Sequence, residues 1–197
     1  YAVHVRPAGR SGFSVLFCSL LCLMLAWTAG PATAQDAPGT FIDSINFLES
    51  PGGVAVGPDG DLYVSSLTTD KIHRYDGSTG ARKPLFVFAT REGARRPTHL
   101  IFGPGGDLYV SSADSNAVLR YDGATGVLKG PFVVSGGELV EPEGLAFGPD
   151  GDLYVSSKQP KAVLRYDGVT GAPKGALVPS GRGGLAAPTG LLFGLDG

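Results

Sequence analysis

From residue 51 onward, short apolar runs alternate with glycine-containing breaks, and the alternation returns at a fixed interval. One cycle reads as four strands. The first is the apolar run Gly144–Phe147. Gly148-Pro149-Asp150-Gly151 then turns the chain, with proline presetting φ and glycine taking a left-handed position. The second strand is Asp152–Ser157 and the third Ala162–Asp167. Gly168–Gly171 makes the next turn, and a weaker fourth run covers Gly175–Val178. These runs carry apolar or aromatic residues on both faces, as expected of sheets covered by a neighbour on each side.

The cycle repeats almost letter for letter. Gly57–Ser66, Gly103–Ser112 and Gly148–Ser157 match, and a fourth copy begins at Gly194, at offsets of 46, 45 and 46 residues. A unit of that length with four short strands suits a propeller blade and is too long for a leucine-rich repeat. The predicted fold is all-β: a partial β-propeller of four-stranded antiparallel blades, three full blades plus parts of two more, from a six-bladed ring. The blades are placed at 51–96, 97–141 and 142–187, with the next starting at 188. Residues 35–50 form an N-terminal segment. Within it Gly39–Ser44 precedes Pro51 at the spacing with which Gly130–Ser135 precedes Pro142. Residues 39–44 are therefore expected to be an orphan outer strand that completes the last blade.

The first 34 residues are different in kind. Arg6 and Arg10 stand without an acid, Phe13–Trp27 is almost wholly apolar, and Ala32-Thr33-Ala34 follows. That is the pattern of a secretory signal peptide, with cleavage expected between Ala34 and Gln35. The alternative, an N-terminal membrane anchor, needs about 20 apolar residues and finds fewer. Cys18 and Cys22 follow Phe17 and Leu21, where a lipoprotein signal has a small residue. No cysteine occurs after the leader, so the exported part has no disulfide and no cysteine metal site. Export predicts a secreted or periplasmic protein whose only tie to a membrane is the signal peptide.

Composition supports turns rather than disorder. The 31 glycines and 15 prolines are about twice the usual combined share, and they fall at fixed places in the cycle. The net charge is −2, and −4 without Arg6 and Arg10. No basic face marks a nucleic-acid partner. The chain opens on Tyr1 and closes on Gly197 inside a repeat, so it is expected to be a piece of a longer protein, monomeric when full-length.

The run from Pro142 through Gly144-Leu145-Ala146-Phe147 to Ser157, followed by Val163-Leu164-Arg165-Tyr166-Asp167-Gly168, resembles NHL repeats. It is also similar to the wider six-bladed set that includes gluconolactonase-like and streptogramin-lyase-like proteins. The resemblance covers residues 39–197. It implies six blades, which at about 46 residues each would need roughly 276 residues, against the 163 that follow Ala34.

The candidate site follows from the alternation of direction in a four-stranded blade. Links between strands one and two, and three and four, share a face and are nearly invariant. The other face carries segments that differ: 67–70, 113–116 and 158–161, and 91–96, 135–141 and 181–187. Variation confined to one face points to a binding surface. At its centre the residue after the proline opening each repeat is Gly52, Thr98, Glu143 and Thr189, and the next is Gly53, His99, Gly144 and Gly190. Thr98, His99, Glu143 and Asn116 are the candidate ligand-binding residues, for an unassigned protein, glycan or small-molecule ligand. By resemblance to gluconolactonase-like proteins, Glu143 is also a candidate ligand for a divalent cation, Ca or Mg, in a metal-dependent hydrolase or lyase. The repeated Asp59-Gly60-Asp61 is read as turn chemistry, and the recurring Arg74, Arg120 and Arg165 with Asp76, Asp122 and Asp167 as contacts between blades. No nucleophile elbow, phosphate loop or zinc-protease motif is present. A binding scaffold is thus the first expectation and an enzyme the alternative.

Overall fold

The sheets follow the repeats. The computed structural model describes residues 48–88, 90–134 and 137–194. The signal peptide, the Ala34–Gln35 junction and the proposed outer strand at 39–44 lie outside them. The first sheet pairs β1 (Pro51–Val56), β2 (Leu62–Ser66) and β3 (Lys71–Tyr75). The second contains β4 (Pro97–Phe102), β5 (Leu108–Ser112), β6 (Ala117–Tyr121) and β7 (Leu128–Val133) in that spatial order. The third contains β8 (Val140–Phe147), β9 (Leu153–Gln159), β10 (Ala162–Tyr166) and β11 (Pro173–Val178). All pairings are antiparallel between sequence neighbours.

Two differences from the sequence reading have clear causes. The first blade has three strands, its fourth reduced to the bridges Ile72↔Val87 and Tyr75↔Arg82. Blades two and three place Gly130 (φ 112°) and Gly175 (φ 90°) where the first has Pro84. Proline cannot take a positive φ and has no N–H to give the ladder, so the outer strand is interrupted there. The innermost strand of the third blade starts at Val140 rather than Gly144, because pairing with β9 resumes across an irregularity between Pro142 and Leu145.

The second strand of each blade is the centre of the packing. Tyr63, Val110, Leu153 and Val155 are 5% exposed or less. Two cores form, each between successive sheets. One gathers Tyr63 and Ile72 from the first sheet against Leu100, Val110, Leu119 and Tyr121 of the second. The other gathers Tyr109 and Val118 of the second against Leu145, Val155, Leu164 and Tyr166 of the third. A period of two sends alternate residues of one strand into different cores. Each such side chain contributes about 1.5–3 kcal/mol by leaving water. Edge-to-face rings cross both junctions, Tyr63 on Phe102 and Tyr109 on Phe147, at centroid separations of 4.9 and 5.1 Å, and Tyr154 meets Phe193, outside the third sheet, in the same way at 4.9 Å.

The doubled serines fasten the inner strand. Ser65 and Ser156 hydroxyls accept the N–H of Gly53 and Gly144 at 2.8 and 2.7 Å. Ser112 and Ser157, the second of each pair, accept the N–H of Arg95 in the preceding linker and of Val140 at the start of β8. Gly53 and Gly144 also let adjacent inner strands approach closely. A Cβ on Gly53 would lie 2.7 Å from His99 Cα, and one on Gly144 2.5 Å from the Thr189 carbonyl oxygen.

Candidate functional site

The invariant face is closed by its own charges. In the first blade Arg74 donates to Asp61 at 2.6 Å, and Lys83 meets Asp61 at 2.7 Å and Asp76 at 3.0 Å. Arg120, Lys129, Asp107 and Asp122 repeat this in the second blade, and Arg165, Lys174, Asp152 and Asp167 in the third. The expected contact between blades is therefore corrected: each arginine and aspartate pairs inside its own blade. The reason is antiparallel register, which sets Tyr63 opposite Arg74 and brings the guanidinium over that ring and onto Asp61 two residues earlier. Asp59 acts as the turn residue anticipated, accepting the Asp61 N–H and the Tyr63 hydroxyl.

These bonds set the carboxyl groups. Burial pushes Asp61 and Asp107 up, but hydrogen bonds from Lys83 and Arg74, and from Lys129 and Arg120, outweigh it and hold both below the usual range. The bond from Lys174 is the main cause of the same depression at Asp152. Asp76, Asp122 and Asp167 cap the turns that follow them, each accepting a backbone N–H and a hydroxyl from Thr79, Thr125 or Thr170.

On the variable face the predicted residues divide into engaged and unengaged groups. Thr98 donates its hydroxyl to the Pro142 carbonyl at 2.8 Å, tying the inner strands of blades two and three. Asn116 Oδ1 accepts the Glu141 N–H at 2.8 Å. Asp70 makes the equivalent bond to the Arg96 N–H at 2.7 Å. His99 Nδ1 is buried without a hydrogen-bond partner among the described residues, and so is the hydroxyl of Ser111. In blades one and three that serine bonds the glycine standing where His99 stands in blade two. Burial lowers the His99 pKa, so its imidazole is neutral near pH 7. Glu143 Oε1 lies 2.7 Å from Lys158 Nζ, an ion pair poorly directed for a hydrogen bond.

Among the described residues, Glu143 does not gather a cation-binding set. The Glu143 carboxylate already faces an ammonium, and among the described residues no three His, Cys, Asp or Glu side chains gather around one point.

The variable segments 135–141, 158–161 and 181–187 also border a cleft, which the sequence alone does not reveal. The cleft, of about 570 Å3, is lined by Glu141, Lys158, Lys161, Ser180 and Ala187, together with Gln159 and Pro160. Only the change of charge there is visible in the sequence: Lys158 and Lys161 replace the uncharged or acidic residues of the other two loops.

No protein-family model and no curated protein matches the sequence. Solved structures do resemble it. A catalytically inactive virginiamycin B lyase from Staphylococcus aureus, determined with quinupristin, aligns with a TM-score of 0.55 at 18% identity, over 71% of this chain and 44% of that one. Hydrazine synthase from Kuenenia stuttgartiensis aligns with a TM-score of 0.57 at 19% identity, over 77% of this chain and 42% of that one. The chain thus spans less than half the length of either neighbour. At such identities the likeness speaks for architecture alone, and with the three antiparallel repeats it leads to one conclusion: this chain has the fold of part of a β-propeller.

Proposed function

We propose that the chain is part of an exported β-propeller repeat protein that serves as a binding scaffold, presenting its variable loop face to a protein, glycan or small molecule. One observation carries this reading: polar groups on the two faces are satisfied differently. The invariant face pairs Arg, Lys and Asp within each blade. The variable face holds the unpartnered His99 Nδ1 and the cleft beside Lys161. Buried polar atoms without partners are uncommon in folded proteins and mark places where a ligand or water completes the bonding. His99 stands without an acid or base partner among the described residues and Glu143 is neutralised by Lys158, so the geometry favours binding over hydrolysis or elimination.

Hydrogen exchange against a panel of glycans, peptides and small metabolites tests the reading. Protection is expected at 67–70, 91–96, 113–116 and 158–161. Protection confined to the turns 57–60 and 76–80 would overturn it. Export is tested separately by sequencing the N-terminus of protein recovered outside the cytoplasm, which should begin at Gln35.

A further inference from the structure

Blades one and two share a latch that blade three lacks. Asp70 and Asn116 each stand in the left-handed region, at φ 56° and 51°, in the loop between second and third strands. Each turns a side-chain oxygen onto the backbone N–H of the residue before the proline that opens the next repeat: Asp70 to Arg96 and Asn116 to Glu141. Those two receiving residues are themselves left-handed, at φ 48° and 49°. The third blade has Lys161 at the latch position, with φ 62°. Lysine has only donors, so it cannot receive the N–H of Ala187, the corresponding residue before Pro188. Ala187 is not among the positive-φ residues, and no side chain among the described residues accepts its N–H. Where the latch would lie, Lys161 and Ala187 line the cleft together.

We infer that this cleft binds a small carboxylate, whose oxygens take the place of the missing latch between the Lys161 ammonium and the Ala187 N–H. An acceptor has been exchanged for a cation and both Lys161 and Ala187 are exposed, so the position is open to an acceptor from outside, and a negative one pairs with the ammonium. The other charges of the cleft are already matched. Lys158 is held by Glu143 at 2.7 Å, and Glu141 is drawn to Arg96 at 3.6 Å. Lys161 makes no ion pair among the described residues. Ser180 also lines the cleft. Both latches in the other blades work through a carbonyl-type oxygen, one charged and one neutral, so a neutral amide should bind as well, but more weakly than the carboxylate.

The inference rests on the reading of this face as the binding face and adds a ligand class to it. Titration of the full chain with propionate, followed by amide and lysine NMR signals, is the test. Saturable downfield movement of the Ala187 amide and a shift of the Lys161 Nζ signal are expected, with propionamide at least tenfold weaker. Lys161→Met should abolish the response. Lys161→Asn should rebuild the latch, moving the Ala187 amide downfield without ligand and leaving propionate without effect. No saturable shift, or an unchanged one in Lys161→Met, would overturn the carboxylate site. Tighter binding of inorganic phosphate than of propionate would also overturn it. Ligand protection at 67–70 and 91–96 would survive either failure, so the two readings are separable.

Discussion

His73 departs from its repeat position at a buried site. It occupies on β3 the place of Leu119 on β6 and Leu164 on β10. The ring is 2% exposed, and neither nitrogen has a hydrogen-bond partner among the described residues. Burial, aided by the charges of Arg82 and Lys71, lowers its pKa below the ordinary 6.5. Unpaired buried polar atoms cost about 1–3 kcal/mol. His73→Leu is expected to stabilise the fold by roughly 1–2 kcal/mol, read as a higher urea midpoint. The same histidine binds protons more readily unfolded than folded. Its contribution is therefore intact above pH 6.5 and lost as pH falls below that value. The leucine variant should flatten that slope, and an unchanged slope would show that His73 is not its source.

At the scale of the single blade, the chain contains its own controls. Gly105 stands where the other turns have Asp59 and Asp150, so Arg120 lacks the second carboxylate that Arg74 and Arg165 have. A Cβ at Gly105 meets nothing within 4 Å, and its φ is not positive. Gly105→Asp should supply an acceptor for the Tyr109 hydroxyl and Arg120, stabilising by about 0.5–1 kcal/mol. A lower thermal midpoint would refute the network as drawn. Asp122 is held at about 2 by bonds from Thr125 and Lys129. Its stabilising contribution is present above the ordinary 3.8 and disappears as pH falls from there to about 2. Asp122→Asn should remove that part of the acid unfolding curve. Strand positions were legible in the sequence because Leu-Tyr-Val-Ser-Ser recurs unchanged between glycine-containing turns. The pairing of Arg74 with Asp61 was not, since it depends on which residues face each other across a hairpin. Pro84 was visible, but its effect emerges only against Gly130 and Gly175. The latch through Asn116 was likewise hidden: the residue was singled out as a ligand contact, and its Oδ1 also accepts the Glu141 N–H, a bond that depends on how the loop folds.

At the scale of the whole molecule, blades hold together where inner strands nearly touch. Gly53→Ala would set a methyl 2.7 Å from His99 Cα, and overpacking of this kind costs about 1–3 kcal/mol. Faster hydrogen exchange in both β1 and β4 is expected, and exchange rising in β1 alone would show that the two strands are not coupled. The rungs of Tyr63 on Phe102, Tyr109 on Phe147 and Tyr154 on Phe193 have a further consequence. The one tryptophan among these 197 residues, Trp27, lies in the N-terminal segment read as a signal peptide. Within residues 35–197 tyrosine is the only strong emitter, and two of the six tyrosines there, Tyr63 and Tyr109, lay their rings across seams between sheets. Parting of those seams can then be watched by intrinsic ultraviolet emission, with no attached dye and no brighter indole to drain the signal.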